Sequence, residues 1–273
     1  MKIRFWRVGT AAAAGLLVAG AVFAQGSVSF KDPANDDNGP GGYTYPTDTV
    51  YKRGSFDLAG LDVKASGKKV DFTVNFNAPM EDPWRMGTGF SVQQVFIFVK
   101  TGAEGGFKDA PPGLNVTFAD GNEWNKVIVL SPQPPGRVKN EVEQKVAQGE
   151  QASVIIPARV KGTGRSISAS VDLDQLGGGD PSQWGYQVVV QSNEGFPEGK
   201  DFMTRKVNEY EGQHRFGGGT DSDCDPHAID ILAGNGTGAA DEAQAQHDML
   251  KYECNPDGSR KSGAALKMVY GKK

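Results

Sequence analysis

Two acidic stretches carry the residue types best suited to holding a metal ion. The segment "DSDCD" places Asp221, Asp223 and Asp225 at alternate positions, and in a curved loop these carboxylates could converge on a hard cation such as calcium. The stretch does not follow the EF-hand pattern, because Pro226 stands where that loop needs glycine and Leu232 where it needs glutamate. We predict calcium here, with turn closure by the aspartate side chains as the alternative.

A second acidic stretch reads "KDPANDDNGPGGYTYPTD" and begins at Lys31. Its prolines restrict the backbone and its glycines permit tight turns, so the stretch is predicted to be an ordered loop and not a spacer. Within it, Asp36 and Asp37 are the predicted calcium ligands, again with turn closure as the alternative. The oxygen-bearing side chains of this stretch are those of Asp32, Asn35, Asp36, Asp37 and Asn38.

Large aromatic residues lie beside turn residues instead of inside the alternating runs. An exposed ring flanked by amides and carboxylates is how secreted modules hold sugars, because the ring covers the apolar face of the sugar while polar groups bond its hydroxyls. The alternative is that these rings plug the ends of the fold. The rings predicted to bind carbohydrate are those of Tyr43, Tyr45, Trp84, Trp124 and Trp184.

The sequence contains no pattern typical of a hydrolase. It has no Gly-x-Ser-x-Gly elbow and no His-Glu-x-x-His motif, and its three histidines all follow residue 213. Carboxylates are plentiful, but nothing singles out two of them as a glycosidase pair. We therefore predict no catalytic residue and a protein that is not an enzyme.

The first 24 residues have the pattern of a cleaved secretory signal. Lys2, Arg4 and Arg7 precede an apolar run that ends in small residues, so the mature chain, 25–273, is predicted to be a single domain that is secreted, periplasmic or held at the cell surface. Losing three cations moves the formal net charge from −4 to −7. That charge argues against nucleic acid as a partner, and no membrane span is predicted in the mature chain.

The chain has two cysteines, Cys224 and Cys254. In an oxidising compartment a lone pair is predicted to form one disulfide. Two separate thiols or a metal pair are the alternatives.

Strand patterns dominate the mature chain. "KKVDFTVNFN" alternates Val70, Phe72, Val74 and Phe76 with polar residues, as a strand with one buried face does, and "VQQVFIFVK" is more continuously apolar, as a strand buried on both faces is. Turns of Gly, Pro, Asn and Asp separate further short runs. The predicted fold is an all-β antiparallel sandwich with a loop-rich C-terminal third, a core including Val95 and Ile97, and short helices after Asn140 and Gly238.

Four blocks, read together, resemble a known family. They are the stretch from "DPANDDNGPGGYTYPTD" to "VDFTVNF", then "DPWRMGTGFSVQQVFIFV", "WGYQVVVQSNEGF" and "HRFGGGTDSDCDPHAIDIL". In this order they are similar to the C-terminal DOMON-like module of glucodextranase, which also occurs as free-standing secreted proteins. The resemblance implies an immunoglobulin-like two-sheet sandwich without catalytic activity, which binds α-glucan, cell-surface carbohydrate or another envelope component.

Two other functions remain open from the sequence. More remotely, the chain resembles DOMON modules that carry haem b for electron transfer, for which Met80, Met86 and His214 or a lysine are the candidate axial ligands. A structural, S-layer-associated component of the cell envelope shares the same sequence features, including a polysaccharide or an envelope protein complex as partner.

Overall fold

The computed structural model describes residues 26–197 and 199–272. The predicted signal segment, 1–24, lies outside the described residues. Numbered in chain order, the strands are β1 (Ser27–Lys31), β2 (Leu58–Ser66), β3 (Lys69–Phe76), β4 (Gln93–Lys100), β5 (Thr117–Phe118), β6 (Lys126–Leu130), β7 (Val154–Ile155), β8 (Val160–Thr163), β9 (Ser166–Asp172), β10 (Gly185–Ser192), β11 (Asp230–Ile231), β12 (Glu253–Cys254), β13 (Arg260–Ser262), β14 (Ala265–Leu266) and β15 (Val269–Tyr270).

Two sheets form the sandwich. The first has the order β1-β2-β3-β9-β8 and is antiparallel throughout. The second has the order β11-β10-β4-β6-β7, with β15 also paired to β10. The pairing of β6 with β7 is parallel, as is the small β5–β14 pair, so the sandwich departs locally from the predicted antiparallel pattern. The all-β sandwich class itself is confirmed.

Strand β3 shows why the two sheets pack face to face. Val70, Phe72, Val74 and Phe76 alternate inward and are almost completely buried, while the residues between them are partly exposed. They meet Val95 and Ile97 of the second sheet in one apolar core. The predicted core residues are therefore confirmed, and a period of two is what a sheet with one wet face requires.

The second sheet is covered on both faces. Phe96 and Phe98 of β4 point away from the sandwich core into a second apolar cluster. Helix α1 (Pro135–Lys145) contributes Val138 and Val142 to that cluster. The helix begins earlier than the sequence suggested, because a proline is favourable in the first turn, where its missing N–H would have no helical partner anyway.

The loop-rich third follows β10 and closes back on the N-terminal part of the chain. It contains helix α2 (Glu242–Met249) and several two-residue strands. Three short 3-10 helices, Gln151–Ser153, Leu173–Leu176 and Pro181–Gln183, complete the regular structure.

Strand β11 begins with Asp230 and lies against β10, and Ala233, just beyond it, donates its N–H to the Asp32 carboxylate at 3.3 Å. The ends of β1 and β11 are thus neighbours in space although about 200 residues separate them along the chain.

Candidate functional site

The segment between β1 and β2, residues 32–57, is the opening loop, and one side of it forms a pocket of about 550 Å³. The lining combines amide, carboxylate, hydroxyl and guanidinium groups with two tyrosines. An antiparallel β-bridge between Thr44 and Gly217 anchors the loop to the C-terminal third of the chain. The lining residues are Asn35, Asp37, Asn38, Tyr43, Thr44, Tyr45, Arg53, Gly54, Asp57 and Asn77.

Tyr45 is fixed at the wall of this pocket. Its hydroxyl donates to the Asp37 carboxylate and accepts the N–H of Phe56 at 3.2 Å, while its ring packs against Phe216 with centroids 5.0 Å apart. Burial, reinforced by the Asp37 charge, raises the pKa of the Tyr45 hydroxyl above its ordinary value. The pocket therefore presents a neutral, half-buried phenol.

Tyr43 is more deeply buried than a sugar-stacking ring would be. Its hydroxyl donates to the Pro226 carbonyl and also lies 3.4 Å from a carboxylate oxygen of Asp225. Its ring belongs to the sandwich core. Tyr43 thus ties the opening loop to the C-terminal third, and only part of it borders the pocket.

Trp84 lies at the same end of the sandwich and is half-buried. Its ring contacts Tyr51 and His214 edge-on, with centroids 6.2 Å and 6.1 Å away, and the Arg205 guanidinium lies 5.9 Å from its centroid. Its remaining exposure makes it the one predicted tryptophan with surface still available.

The carbohydrate-binding prediction has to be corrected at Trp124 and Trp184, whose rings are buried. Trp124 is 0 % exposed and Trp184 3 % exposed, so neither ring offers a free face to a sugar. Trp124 also donates its indole N–H to the Asp109 carbonyl at 3.0 Å. Both lie near the β4 and β10 residues Lys100 and Gly185, at the end of the sheet opposite Trp84. They plug the fold, as large rings with a satisfied polar handle commonly do.

The described residues contain one group of three acids whose carboxylate oxygens approach within 4.8 Å of one another: Asp32, Asp36 and Asp230. We call this group the acid triad. Its members are 8 %, 2 % and 0 % exposed, respectively. Charged groups are almost never buried to this degree unless something compensates them.

Backbone donors compensate only part of the triad. Asp230 accepts N–H groups from Leu58 and Ile231, and Asp32 accepts one from Ala233 through Oδ1. Asp32 Oδ2 and both carboxylate oxygens of Asp36 are buried without a hydrogen-bond partner. Three buried oxygens of the triad therefore have no donor assigned to them.

Burial dominates the electrostatics of the triad. It raises the pKa of Asp36 to about 7, with the nearby Asp57 charge adding to the effect. Burial likewise raises the pKa of Asp32 and of Asp230 well above the ordinary range, and the other triad carboxylates raise both further.

Neighbouring residues of the opening loop point to different places, some to the pocket and one to the acid triad. Asn35 has φ 69°, a left-handed conformation that asparagine tolerates, and its N–H bonds Asp57 at 2.9 Å. Asn35 and Asp37 line the pocket, while Asp36 between them joins the triad. Gln246 of α2 holds this arrangement by donating to the Asp36 carbonyl. Asp37, the other predicted calcium ligand of this stretch, accepts from the Tyr45 hydroxyl and is not part of the triad.

Asp230 is the functional candidate that sequence reasoning missed. It lies in the apolar run "AIDIL", and a charged residue inside such a run was the available signal. Without knowledge that β11 lies beside the end of β1, nothing in the sequence connects it to Asp32.

In the other acidic stretch, 221–225, each aspartate accepts hydrogen bonds from different donors. Asp221 accepts the Glu209 N–H, Asp223 is bound by His227 at 2.8 Å and Lys206 at 2.9 Å, and Asp225 accepts from Thr220 at 2.8 Å. The hydrogen bond from His227, followed by that from Lys206, holds the pKa of Asp223 well below its usual range. The structure does not bring these three carboxylates together around one point.

The predicted disulfide is confirmed. Cys224 and Cys254 are bonded, with Cα atoms 5.8 Å apart, and the bond closes a segment of 30 residues. It joins the 221–225 stretch to strand β12, which follows α2.

Two of the haem candidates, Met80 and His214, and the remaining histidine contact other residues of the fold. Met80 packs against the sandwich core, His214 contacts Trp84 and Tyr51, and His247 bonds Asn38 at 3.1 Å. Within the described ranges, no helix has the length and apolarity needed to cross a membrane.

Comparison with known proteins identifies the family. A family model described as the SLH-like C-terminal binding module of glucodextranase matches residues 28–268, which include the opening loop, the acid triad and both sheets except Ser27 and strand β15. No curated protein matches the sequence. The family is a binding module and not a catalytic domain. Because the match covers well over half of the chain, this protein belongs to the family of glucodextranase C-terminal binding modules.

Proposed function

We propose that the protein is a secreted, non-catalytic carbohydrate-binding module whose ligand is an α-glucan or a cell-surface polysaccharide. The observation that carries the proposal is the opening-loop pocket, in which Asn35, Asn38, Arg53 and Asp57 accompany a phenol wall formed by Tyr45. The family description supports the same role, because it names a binding module of an enzyme that acts on a glucan.

The pocket has the chemistry that sugar hydroxyls require. A hydroxyl both donates and accepts hydrogen bonds, so a mixture of amides, carboxylates and a guanidinium can satisfy several hydroxyls at once. Arg53 is exposed at the rim and supplies charged donors, while the Asp57 carboxylate is pre-positioned by Asn77 at 2.9 Å. Such pre-ordered groups reduce the entropy that binding would otherwise cost.

The Arg53→Ala substitution tests the pocket. Calorimetric titration with maltotriose and isomaltotriose, together with retention on starch, dextran and isolated envelope polysaccharide, would measure binding. Because a charge-assisted hydrogen bond contributes roughly 1.5–3 kcal/mol, we expect at least about tenfold weaker binding. Arg159→Ala is the matched control, since Arg159 is also exposed but borders a cleft on the first sheet, away from the opening loop.

The outcomes are distinct. Weakening by Arg53→Ala alone supports the pocket, whereas weakening by Arg159→Ala alone moves the glycan to the first sheet. Failure of the wild-type protein to bind any of these polymers contradicts the proposal. A Soret band in protein purified from its native host would favour the haem alternative, and stable crosslinks to envelope proteins would favour the structural one.

Export to the periplasm or the cell surface forms part of the proposal. The N-terminal signal pattern and the SLH-like family description both support it. N-terminal sequencing of natively produced protein is expected to start near Gln25. A retained Met1 in protein recovered from the cytoplasm would contradict export.

A further inference from the structure

We propose that the acid triad binds a divalent cation of the calcium type and thereby fastens the opening loop to strand β11. The inference does not rest on the proposed glycan site, because it concerns the opposite side of the same loop. Its basis is the set of three unpartnered buried oxygens, Asp32 Oδ2 and the two oxygens of Asp36, beside the Asp230 carboxylate.

The geometry asks for a positive charge at this point. When ionised, three carboxylates that place oxygens within 4.8 Å of one another repel strongly, and the charged groups that act most on each of them are other acids, not lysines or arginines. Backbone N–H groups reach Asp32 Oδ1 and both oxygens of Asp230, which leaves Asp32 Oδ2 and both oxygens of Asp36 to be satisfied by something else. A cation would supply both the charge and the missing partner.

The donor set selects the kind of cation. All three side chains offer only carboxylate oxygen, which suits hard cations and not zinc or copper, whose sites draw on histidine or cysteine. Magnesium normally keeps several water ligands, whereas calcium accepts several carboxylates in irregular geometry. Because the triad is at most 8 % exposed, calcium fits it better.

Asp36 provides the sharpest test, since its carboxylate oxygens accept no hydrogen bond within the protein. Asp36→Asn keeps the shape of the side chain and removes its charge, so no protein hydrogen bond is lost. If the site binds a cation, the variant loses calcium binding. In chelator the variant should unfold close to the wild-type temperature, because no hydrogen bond within the protein is lost.

The experiment measures thermal unfolding and calorimetric titration with calcium chloride alone, after chelator treatment and dialysis. We expect the melting temperature of the wild type to rise by roughly 5–10 °C at a free calcium concentration 100-fold above Kd. Asp36→Asn should lose most of that shift, and magnesium should give a smaller one. Asp32→Asn is the second variant, because its Oδ1 can still accept from Ala233.

Asp223→Asn is the matched control. It also neutralises an aspartate in an acidic stretch, but one already paired with Lys206 and His227, so it should keep the full calcium shift. The proposal is overturned if calcium leaves the wild type unchanged, if both triad variants keep the shift, or if Asp223→Asn alone abolishes it. An equal shift with magnesium would contradict the assignment to calcium.

Discussion

Two acidic stretches that look alike in the sequence have opposite electrostatic environments. Each aspartate of the 221–225 stretch has a hydrogen-bond partner: a backbone N–H for Asp221, a lysine and a histidine for Asp223, and a threonine for Asp225. The triad receives backbone N–H groups at Asp32 and Asp230, but neither oxygen of Asp36 has a donor, and nor does Asp32 Oδ2. The density of aspartates is similar in the two stretches, and the difference lies in which distant residues reach them.

This difference teaches how an acidic loop should be interpreted. A carboxylate with nearby donors needs no ion even when it is buried, as Asp225 is, whereas a buried carboxylate without a donor is left uncompensated by the protein. The local pattern "DSDCD" suggested the more regular ligand spacing, yet burial and orphaned oxygens single out the less regular stretch.

The largest effect is expected from Phe72→Ala, which truncates a fully buried ring between the two sheets. The cavity should lower the free energy of unfolding by about 3–5 kcal/mol, measured by denaturant unfolding. Phe72 belongs to neither acidic stretch, so the increment that calcium adds should be the same in variant and wild type. If calcium no longer stabilised this variant, the difference between the two acidic stretches would reflect the stability of the whole fold and not their local hydrogen bonds.

The disulfide variant separates the two stretches more directly. Replacing Cys224 and Cys254 with serine opens a segment of 30 residues, for which the chain-entropy model gives a loss of about 3.5 kcal/mol. Hydrogen exchange should increase first around residues 220–227, while the opening loop stays protected. Loss of calcium binding in this variant would show that the geometry of the triad depends on the disulfide.

A smaller effect is expected from Asp223→Asn, which removes the carboxylate partner of Lys206 and His227. Because about half of the Asp223 side chain is exposed, we expect only about 1–2 kcal/mol of destabilisation at pH 7.

The pH dependence of this variant follows from the lowered pKa of Asp223. A carboxylate whose pKa is lower in the folded state stabilises the protein above its unfolded pKa, near 4, and loses that contribution as the pH falls through its folded pKa. The stability difference between wild type and variant should therefore shrink below about pH 4. Urea unfolding at pH 7 and at pH 3 measures it, and a difference that grows on acidification would contradict the pairing.

The smallest effect is expected from Tyr45→Phe in the opening loop. The change removes a hydroxyl that donates to Asp37 and accepts from Phe56, while the ring keeps its packing against Phe216. We expect about 1 kcal/mol of destabilisation by denaturant unfolding, with calcium binding retained. Loss of calcium binding would place Asp37 among the ligands after all.

Local patterns predicted much of the fold. The alternation in β3 and the continuous apolar run in β4 identified the buried faces, because the period of a strand is fixed by its backbone. The cysteine pair was equally accessible, since two cysteines allow one intramolecular bond.

The candidate sites depended on contacts that no local pattern contains. Trp124 and Trp184 have the same flanking turn residues as an exposed ring would have, and only the packed end of the sheet shows that they are covered. Asp230 lies close to Asp32 in space, although about 200 residues separate the two along the chain. The sequence therefore singled out the opening loop as a candidate, but it could not show which of its acids are buried in the triad.

The distance along the chain between Asp32 and Asp230 also orders events in time. A protein made from its N-terminus has nearly all of its length synthesised before residue 230 emerges, and contacts of such separation form late because a long loop must first close. The triad cannot exist in a partly made chain. The proposed cation would therefore be taken up as one of the final steps of folding, from whatever compartment the finished chain occupies at that moment.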